Sequence, residues 1–130
     1  RQIARAPGKP VAYELGSICE YDGFLLTAFS RFDAEQRAFL STKDYITCML
    51  NFWQEVARVY AGRAVVVPLM GAGITRFIGY SNISAQELLE LMLYTLKLSR
   101  IALRPGTTIT LMVRASTRQR INFYKLRTLL

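Results

Sequence analysis

The sequence predicts an α/β fold, a three-layer arrangement in which helices enclose a mixed, mostly parallel sheet. Strand patterns and helical patterns alternate along the chain, which implies right-handed crossovers between neighbouring strands. Residues 64–67 include three consecutive valines, a continuous apolar run that is typical of a strand covered on both faces. That strand leads directly into a loop with two glycines, and open α/β sheets bind ligands at this end of their strands.

The first third of the chain carries the less regular patterns. Residues up to Pro10 are predicted to form an edge strand broken by a turn, and residues 11–15 a short strand. Residues 16–23 are expected to connect it to a second strand at residues 24–29, which has a continuous apolar run. The polar segment at residues 30–40 is then expected to be a loop or a helical turn on the ligand-binding edge.

Two amphipathic helices are the clearest local predictions. Ser41, with an aspartate three residues later, resembles an N-terminal cap, and apolar residues recur at helical spacing until Gly62. Within this helix Trp53 and Tyr60 are predicted to pack in the core rather than to stack on a ligand. A capping box opens a second, leucine-rich helix over about residues 84–101.

The last third of the chain combines a predicted strand and helix with an unusual charge distribution. Residues 107–114 alternate threonine and apolar side chains, and a terminal helix is expected over residues 117–130, with Phe123 and Tyr124 packed on the sheet. The net charge is +8, and no acidic residue follows Glu90. Such a surface suits an anionic partner, whether nucleic acid, a membrane face or a phosphorylated small molecule; solubilising charge on a helix face is the alternative.

Size and composition exclude several classes of protein. A chain of 130 residues with 52% hydrophobic content predicts one domain, residues 1–130, and it begins at Arg1, as expected of a segment taken from a longer protein. Cys19 and Cys48 are expected to be free thiols in a reducing compartment. The chain has no histidine, which argues against triad hydrolysis and a typical zinc site.

The loop after the valine strand carries the sequence's strongest functional signal. Pro68 is expected to end the strand, and Gly71 and Gly73 can adopt positive φ angles that let an anion approach the main chain closely. Successive N–H groups can then converge on phosphate oxygens. An ordinary strand-to-helix connection also favours glycine, so this pattern alone leaves both interpretations open.

Three stretches together resemble a macro domain, the α/β module that binds ADP-ribose and related nucleotides. Residues 16–19, Gly-Ser-Ile-Cys, are similar to the family's Gly-Asp-Ile-Thr stretch at the adenine. Residues 24–30 stand where the family has a strand ending in Asn-Ala-Ala-Asn beside the distal ribose. Residues 68–74, Pro-Leu-Met-Gly-Ala-Gly-Ile, resemble the loop whose amides hold the diphosphate.

More narrowly, the chain resembles the divergent macro domain of effectors in the Thoeris antiphage system. The likeness extends from Tyr13 onward and includes residues 26–30, 51–53, 68–76 and 121–123. In that family a TIR-domain partner makes an ADP-ribose-derived signal from NAD and the effector senses it. The resemblance therefore implies such a partner, self-association through clustering, and a cytoplasmic domain whose parent protein can be anchored in a membrane.

The resemblance implies a binding site without catalytic residues, metal or cofactor. Ser17 replaces the aspartate that reads adenine, and Ser30 replaces the asparagine that active macro domains place near the distal ribose. Arg76 is expected to pair with a phosphate, or with a carboxylate on an amino-acid conjugate such as histidine-ADP-ribose. The predicted ligand-binding residues are Ser17, Ile18, Thr27, Ala28, Phe29, Ser30, Gly71, Ala72, Gly73, Ile74, Thr75, Arg76 and Arg114.

Two alternatives to a non-catalytic sensor stay open at this point. An ADP-ribosyl hydrolase would need an activated water, for which Asp22, Asp33 and Glu35 are the available bases. A nucleic-acid-binding domain would use the basic C-terminal third, and aromatic side chains exposed among the cations would favour it. Nucleic acid is not the expected partner, because Phe123 and Tyr124 are predicted to be packed.

Overall fold

The computed structural model describes residues 2–4, 11–29, 31–32, 38–71, 76–78 and 83–129. The strands are β1 (Gln2–Ala4), β2 (Val11–Tyr13), β3 (Ile18–Tyr21), β4 (Phe24–Thr27), β5 (Arg31–Phe32), β6 (Ala38–Ser41), β7 (Val65–Pro68), β8 (Arg76–Ile78) and β9 (Ile109–Met112). The helices are α1 (Thr42–Val59), α2 (Ala85–Ser99), α3 (Ala115–Arg118) and α4 (Phe123–Arg127). The fold is mixed α/β, as predicted.

The strand pairs divide into an antiparallel set and a parallel set. β1 pairs with β2, β3 with β4 and β5 with β6, all antiparallel. β6 pairs with β8 and β7 with β9 in parallel, and a helix lies between the two strands in each parallel pair. The predicted mixture of strand directions is therefore confirmed in the described residues, with the parallel pairs formed across the helical crossovers that parallel strands require.

Two predictions in the first third of the chain are wrong. The segment at residues 16–23 is not a plain connection, because β3 begins at Ile18 and forms a hairpin with β4. Asp22 and Gly23 make its turn with φ angles of 49° and 80°, the left-handed pair that an Asp-Gly turn favours. The segment at residues 30–40 is not a loop or helical turn where it is described, since it contains β5 and most of β6. Those strands depend on partners that local sequence does not reveal. Residues 5–10 and 33–37, with their predicted turn and loop, lie outside the described residues.

Helices α1 and α2 form as predicted and pack against each other. The Ser41 side chain accepts a hydrogen bond from the Asp44 N–H at 3.0 Å, and Ser84 and Glu87 form the reciprocal capping box of α2. Trp53 is fully buried in the core, and its indole Nε1 donates to the Met92 carbonyl and to Thr95 Oγ1 at 3.1 Å each. The core prediction for Trp53 is thus confirmed.

β7 differs from the predicted doubly covered strand. Val65 and Val67 are buried in the core, whereas Val66 between them is 62% exposed. One face of β7 belongs to the core cluster around α1, and the other face lacks a covering layer in the described residues. Pro68 is the last residue of β7, as predicted; it pairs with Met112, and the Leu69 N–H just beyond it donates to the Met112 carbonyl at 3.1 Å.

The C-terminal segment also departs from its prediction. The expected helix over residues 117–130 is two short helices, α3 and α4, separated by a break at which the Asn122 side chain caps α4. The Asn122 N–H donates to Gln86 Oε1 at 2.7 Å, which ties this break to α2. Ile121 and Leu126 are buried, but Phe123 and Tyr124 are 50% and 78% exposed, so the prediction that these aromatic residues pack on the sheet is wrong.

None of the helices in the described ranges combines the length and the apolar character that crossing a bilayer requires. Within those same ranges, histidine, cysteine and carboxylate side chains do not gather in the threes that a metal site would need.

Candidate functional site

The candidate site is the edge of the fold where β4 and β7 end. We call this edge the rim and define it by Ser17, Thr27, Ala28, Phe29, Met70 and Gly71. Backbone hydrogen bonds join two of its segments, since the Ala28 N–H donates to the Ser17 carbonyl at 2.9 Å and the Gly16 N–H donates to the Ala28 carbonyl at 2.7 Å. The stretches expected at the adenine and at the distal ribose are therefore direct neighbours.

Two of the predicted apolar site residues have structural roles. Ile18 is 7% exposed and belongs to the main core cluster with Trp53 and Val67. Phe29 is half-buried, and its ring meets the Tyr45 ring edge-on, with the ring centres 5.8 Å apart and an interplanar angle of 86°. Thr27 is half-buried and lies opposite Ile18 in the hairpin register. The inner wall of the rim is thus continuous with the hydrophobic core.

Gly71 adopts the backbone conformation that a phosphate-binding loop needs. Its φ angle is 92°, in the left-handed region that favours glycine. Within the described parts of the chain, no carbonyl accepts a hydrogen bond from the Gly71 N–H, whereas the Leu69 N–H is bound to β9. The Gly71 N–H is thus a backbone donor without a partner among the described carbonyls. Ser30, Ala72, Gly73, Ile74 and Thr75, which are also predicted site residues, lie outside the described residues.

The two predicted arginines lie at different strand pairs, Arg76 within the β6–β8 pair and Arg114 just beyond the β7–β9 pair. Arg76 begins β8, which pairs with β6, and only its backbone is described. Arg114 is exposed and stands at the N-cap of α3, two residues beyond Met112. Because Met112 is the register partner of Pro68 in a parallel pair, Arg114 lies at the same edge of the sheet as Gly71.

A row of three side chains on α1 holds the rim in place. The Tyr45 hydroxyl donates to the Met70 carbonyl at 2.9 Å, the Cys48 thiol approaches the Phe29 carbonyl at 4.0 Å, and the Asn51 amide donates to the Leu15 carbonyl at 3.1 Å. We call Tyr45, Cys48 and Asn51 the donor row. Three carbonyls in or beside the rim, those of Met70, Phe29 and Leu15, thus face donors on α1.

Sequence reasoning missed the donor row, although its spacing is visible. The three residues stand three positions apart, which places them on one face of a helix. The available signal was the presence of two polar side chains, Tyr45 and Asn51, on the apolar face of α1. Their acceptors, however, are main-chain carbonyls from distant loops. Such acceptors leave no pattern in the sequence.

Gly16 allows the first rim segment to approach α1 closely. Its φ angle is 92°, and a Cβ atom at this position would lie 2.5 Å from the Cys48 carbonyl oxygen and 2.6 Å from Asn51 Cβ. Both contacts are shorter than real Cβ contacts, and the first is with backbone that cannot turn aside. The glycine of the Gly-Ser-Ile-Cys stretch is therefore required for packing as well as for backbone conformation.

Burial keeps the two titratable groups of the donor row, Tyr45 and Cys48, protonated. Burial, and secondarily the neighbouring Cys48, raises the pKa of the Tyr45 hydroxyl well above its usual value of 10.0. Burial, with a smaller contribution from the Asp44 charge, raises the pKa of the Cys48 thiol from 9.0 to about 12. Both groups hence remain hydrogen-bond donors at neutral pH, and Cys48 is not a reactive thiolate.

A cavity of about 920 Å³ extends from the rim between the β3–β4 hairpin and β7. Thr27, Pro68 and Met70 line it at the rim, and Phe24, Leu26 and Val66 line it further along. Glu20 and Arg63 are its charged residues among the described part of the chain. The volume lies in the range of small-molecule sites.

The comparisons with known proteins agree with this architecture. The family model of the macro domain of the Thoeris protein ThsA matches residues 1–114. This chain belongs to the ThsA macro-domain family. The Thoeris protein ThsA of Bacillus amyloliquefaciens (strain Y2) is 41% identical over 120 residues, which cover 92% of this chain and 40% of that protein.

The family assignment confirms the resemblance drawn from the sequence. In this ThsA macro domain, the rim combines the Gly-Ser-Ile-Cys stretch, the end of β4 and the start of the glycine loop. The matched range ends at residue 114, so α3 and α4 lie beyond it. The chain spans less than half the length of the relative it matches, 40% of it.

Proposed function

We propose that this domain binds an ADP-ribose-derived nucleotide and senses it, without turnover, in Thoeris antiphage defence. The observation that carries the proposal is the rim of a ThsA macro domain, where Gly71 has a positive φ angle and an N–H that no described carbonyl accepts. A backbone N–H with no partner in the described part of the protein suits a phosphate oxygen, because the amide dipole attracts the anion. The folded loop also fixes the direction of the N–H before the ligand binds.

The other rim residues take the remaining parts of the nucleotide. The Ser17 segment would face the adenine, and Thr27 to Ser30 would border the distal ribose and whatever group is attached to it. Arg114, exposed at the same sheet edge, is available to pair with phosphate or to stack on the base. Arg76 would complete the site on a phosphate or on the carboxylate of an amino-acid conjugate such as histidine-ADP-ribose.

Binding without turnover is supported by the position of Asp22, the one of the three candidate bases that lies in the described residues. Asp22 occupies the exposed turn of the β3–β4 hairpin, at the opposite end of β4 from the rim. A general base must lie within hydrogen-bond reach of the water it activates, so Asp22 cannot serve a ligand at the rim. Asp33 and Glu35 lie outside the described residues.

In this proposal the signal is made from NAD by a TIR-domain enzyme. The domain is the receiver of that signal on the cytoplasmic side, and its parent protein assembles with further copies when the nucleotide is bound. These partners are part of the proposal through the likeness to Thoeris effectors, and the geometry of the rim bears on the nucleotide alone.

Isothermal titration of the domain with ADP-ribose and with histidine-ADP-ribose tests the proposal. A micromolar site corresponds to about 8 kcal/mol, and Gly71→Val, which cannot keep the left-handed conformation without strain, should weaken binding at least about tenfold. Gly23→Ala is the matched control, since it alters a positive-φ glycine at the hairpin turn with nothing within 4 Å. A folded sample that binds neither compound would contradict the proposal.

Mass spectrometry tests for turnover, and it should recover both compounds unchanged. Hydrolysis that is lost in Asp33→Ala would favour an ADP-ribosyl hydrolase.

One observation favours a second candidate, binding of nucleic acid. Phe123 and Tyr124 are exposed, and the exposed cations Arg120, Lys125 and Arg127 stand beside them on the C-terminal segment. Aromatic side chains interleaved with cations provide stacking and phosphate contacts for single strands. Oligonucleotide binding that weakens steeply with salt and is lost in Tyr124→Ala would support this function. Binding that Tyr124→Ala leaves unchanged would mean that the basic surface attracts nucleic acid only through nonspecific charge.

A further inference from the structure

We propose that Tyr45 is a positioning residue that sets the direction of the Gly71 N–H and so prepares the glycine loop for a phosphate. The inference rests on the proposed nucleotide-binding function, and it assigns a role to a residue that lies on α1 rather than in any of the rim segments.

The geometry of one peptide group carries the argument. The Tyr45 hydroxyl donates to the Met70 carbonyl oxygen at 2.9 Å. That carbonyl and the Gly71 N–H belong to the same planar group, and the described residues contain no cis peptide bond. In a trans peptide the C=O and the N–H point to opposite sides of the chain. Anchoring the oxygen on the α1 side therefore turns the Gly71 N–H away from α1.

Tyr45 is itself held firmly enough to act as an anchor. Its side chain is fully buried, and the Tyr45 ring packs in a T-shaped arrangement with the ring of Phe29, which is itself part of the rim. Because burial raises its pKa, the hydroxyl keeps its proton across the neutral range and always donates. A glycine has wide conformational freedom, so a loop that starts at Gly71 needs such a contact if its first amide is to keep one direction.

The rest of the donor row extends the same arrangement to the other rim segments. Cys48 and Asn51 bind the carbonyls of Phe29 and Leu15 from the same face of α1. A shift of the glycine loop relative to the adenine-side segment would therefore have to break a bond to α1. Preorganisation of this kind lowers the ordering cost of binding.

Tyr45→Phe tests the inference because it removes the hydroxyl and keeps the ring. In isothermal titration we expect ADP-ribose to bind about 3- to 10-fold more weakly, the loss of one net hydrogen bond. Tyr60→Phe is the matched control: Tyr60 is the C-cap residue of α1, at the other end of the helix from Tyr45, and its hydroxyl accepts from the Arg104 N–H at 2.9 Å. The control should bind ADP-ribose within about twofold of the wild type.

An NMR signature separates positioning from general destabilisation. In the ligand-free protein, the Gly71 amide resonance should move in Tyr45→Phe and stay in place in Tyr60→Phe. The wild-type protein offers a test that needs no variant, since the carbonyl carbon of Met70 should show the downfield shift of a hydrogen-bonded carbonyl. An unbonded Met70 carbonyl would overturn the inference even if Tyr45→Phe failed to fold.

The remaining outcomes divide clearly. Wild-type affinity in Tyr45→Phe, or an equal loss in both variants, would overturn the inference and leave the proposed function intact. Wild-type protein that binds neither ADP-ribose nor histidine-ADP-ribose would overturn the proposed function, and with it the role of Tyr45 in binding. The two failures are thus told apart by the wild-type titration.

Discussion

The two ends of the β3–β4 hairpin show how differently the same residue type can be used. At the rim end, Gly16 has a positive φ angle and lies against the backbone of α1, where a Cβ atom would come within 2.5 Å of a carbonyl oxygen. At the turn end, Gly23 has a positive φ angle of 80° and nothing within 4 Å. Both glycines thus share a positive φ angle, but only the one at the rim end packs closely against another element.

The same contrast holds for the side chains around these glycines. At the rim, Tyr45 and Cys48 are fully buried and bind loop carbonyls. At the turn end, Tyr21 and Phe24 are 70% and 69% exposed. The rim therefore tolerates little change, while the turn end should tolerate much, and this difference can be measured at four levels.

The largest effect is expected from the two glycines. Gly16→Ala should lower the free energy of unfolding by at least about 3 kcal/mol, because φ strain is added to a clash with the α1 backbone. Gly23→Ala carries the φ strain alone and should cost about 1 kcal/mol. Urea unfolding followed by circular dichroism measures both values. Equal losses would mean that the first segment of the rim does not pack on α1.

The next effect is alkaline destabilisation through the donor row. A group whose pKa is higher in the folded state stabilises fully below its unfolded value and loses that contribution as the pH rises toward the folded value. For Cys48 this window runs from 9.0 to about 12, and for Tyr45 it starts near 10.0. The free energy of unfolding should thus fall by roughly 2 kcal/mol between about pH 8 and about pH 10.5. In Cys48→Ala the free energy of unfolding should stay nearly constant up to about pH 10. A loss of stability that still begins at about pH 9 in this variant would show that the Cys48 thiol is not buried.

The two cysteines provide a third measurement across the hairpin and the rim. Cys19 lies exposed on β3, while Cys48 is fully buried. A thiol reagent at about pH 8 should modify Cys19 at least about 30-fold faster, which corresponds to an opening free energy of about 2 kcal/mol at Cys48. Cys19→Ser should remove the fast phase. Two thiols reacting at one rate would contradict the burial of the donor row.

The smallest effect belongs to the hairpin's outer face. Phe24→Ala should change the free energy of unfolding by less than about 0.5 kcal/mol, because its side chain is mostly exposed. Its neighbour Leu25 is half-buried against the core, and Leu25→Ala should cost about 1 to 2 kcal/mol. Thermal unfolding of the pair checks the order. A reversed order would mean that β4 presents its other face to the core.

Local rules explain which elements were predictable. The caps at Ser41 and Ser84 and the spacing of apolar residues in α1 and α2 act within a few residues, so the helices could be predicted from the sequence. The strand β7 was predictable for the same reason, whereas residues 72–75 of the glycine loop lie outside the described residues. The Asp-Gly pair of the β3–β4 turn was also present as a signal, although residues 16–23 were interpreted as a connection.

The errors fall where a distant partner decides the structure. β5 and β6 form through pairing with each other and with β8, and the terminal helix is broken where Asn122 meets Gln86. Val66 belongs to an apolar run, but whether its face is covered depends on the elements packed around it. Phe29 and Ile18 were predicted as site residues, and the structure places Ile18 in the core and packs Phe29 against it.

By itself, the sequence determined the alternation of strands and helices, the caps, the positive φ angle of Gly71 and the membership of this chain in a macro-domain family, because each depends on short-range chemistry or on motifs. That residues 1–130 form one domain stays a prediction. The tertiary structure alone decided which loops share the rim and which side chains of α1 hold them. The physical reason is that a main-chain carbonyl accepts a hydrogen bond whatever its side chain, so the choice of partner is made by packing and leaves no trace in residue identity.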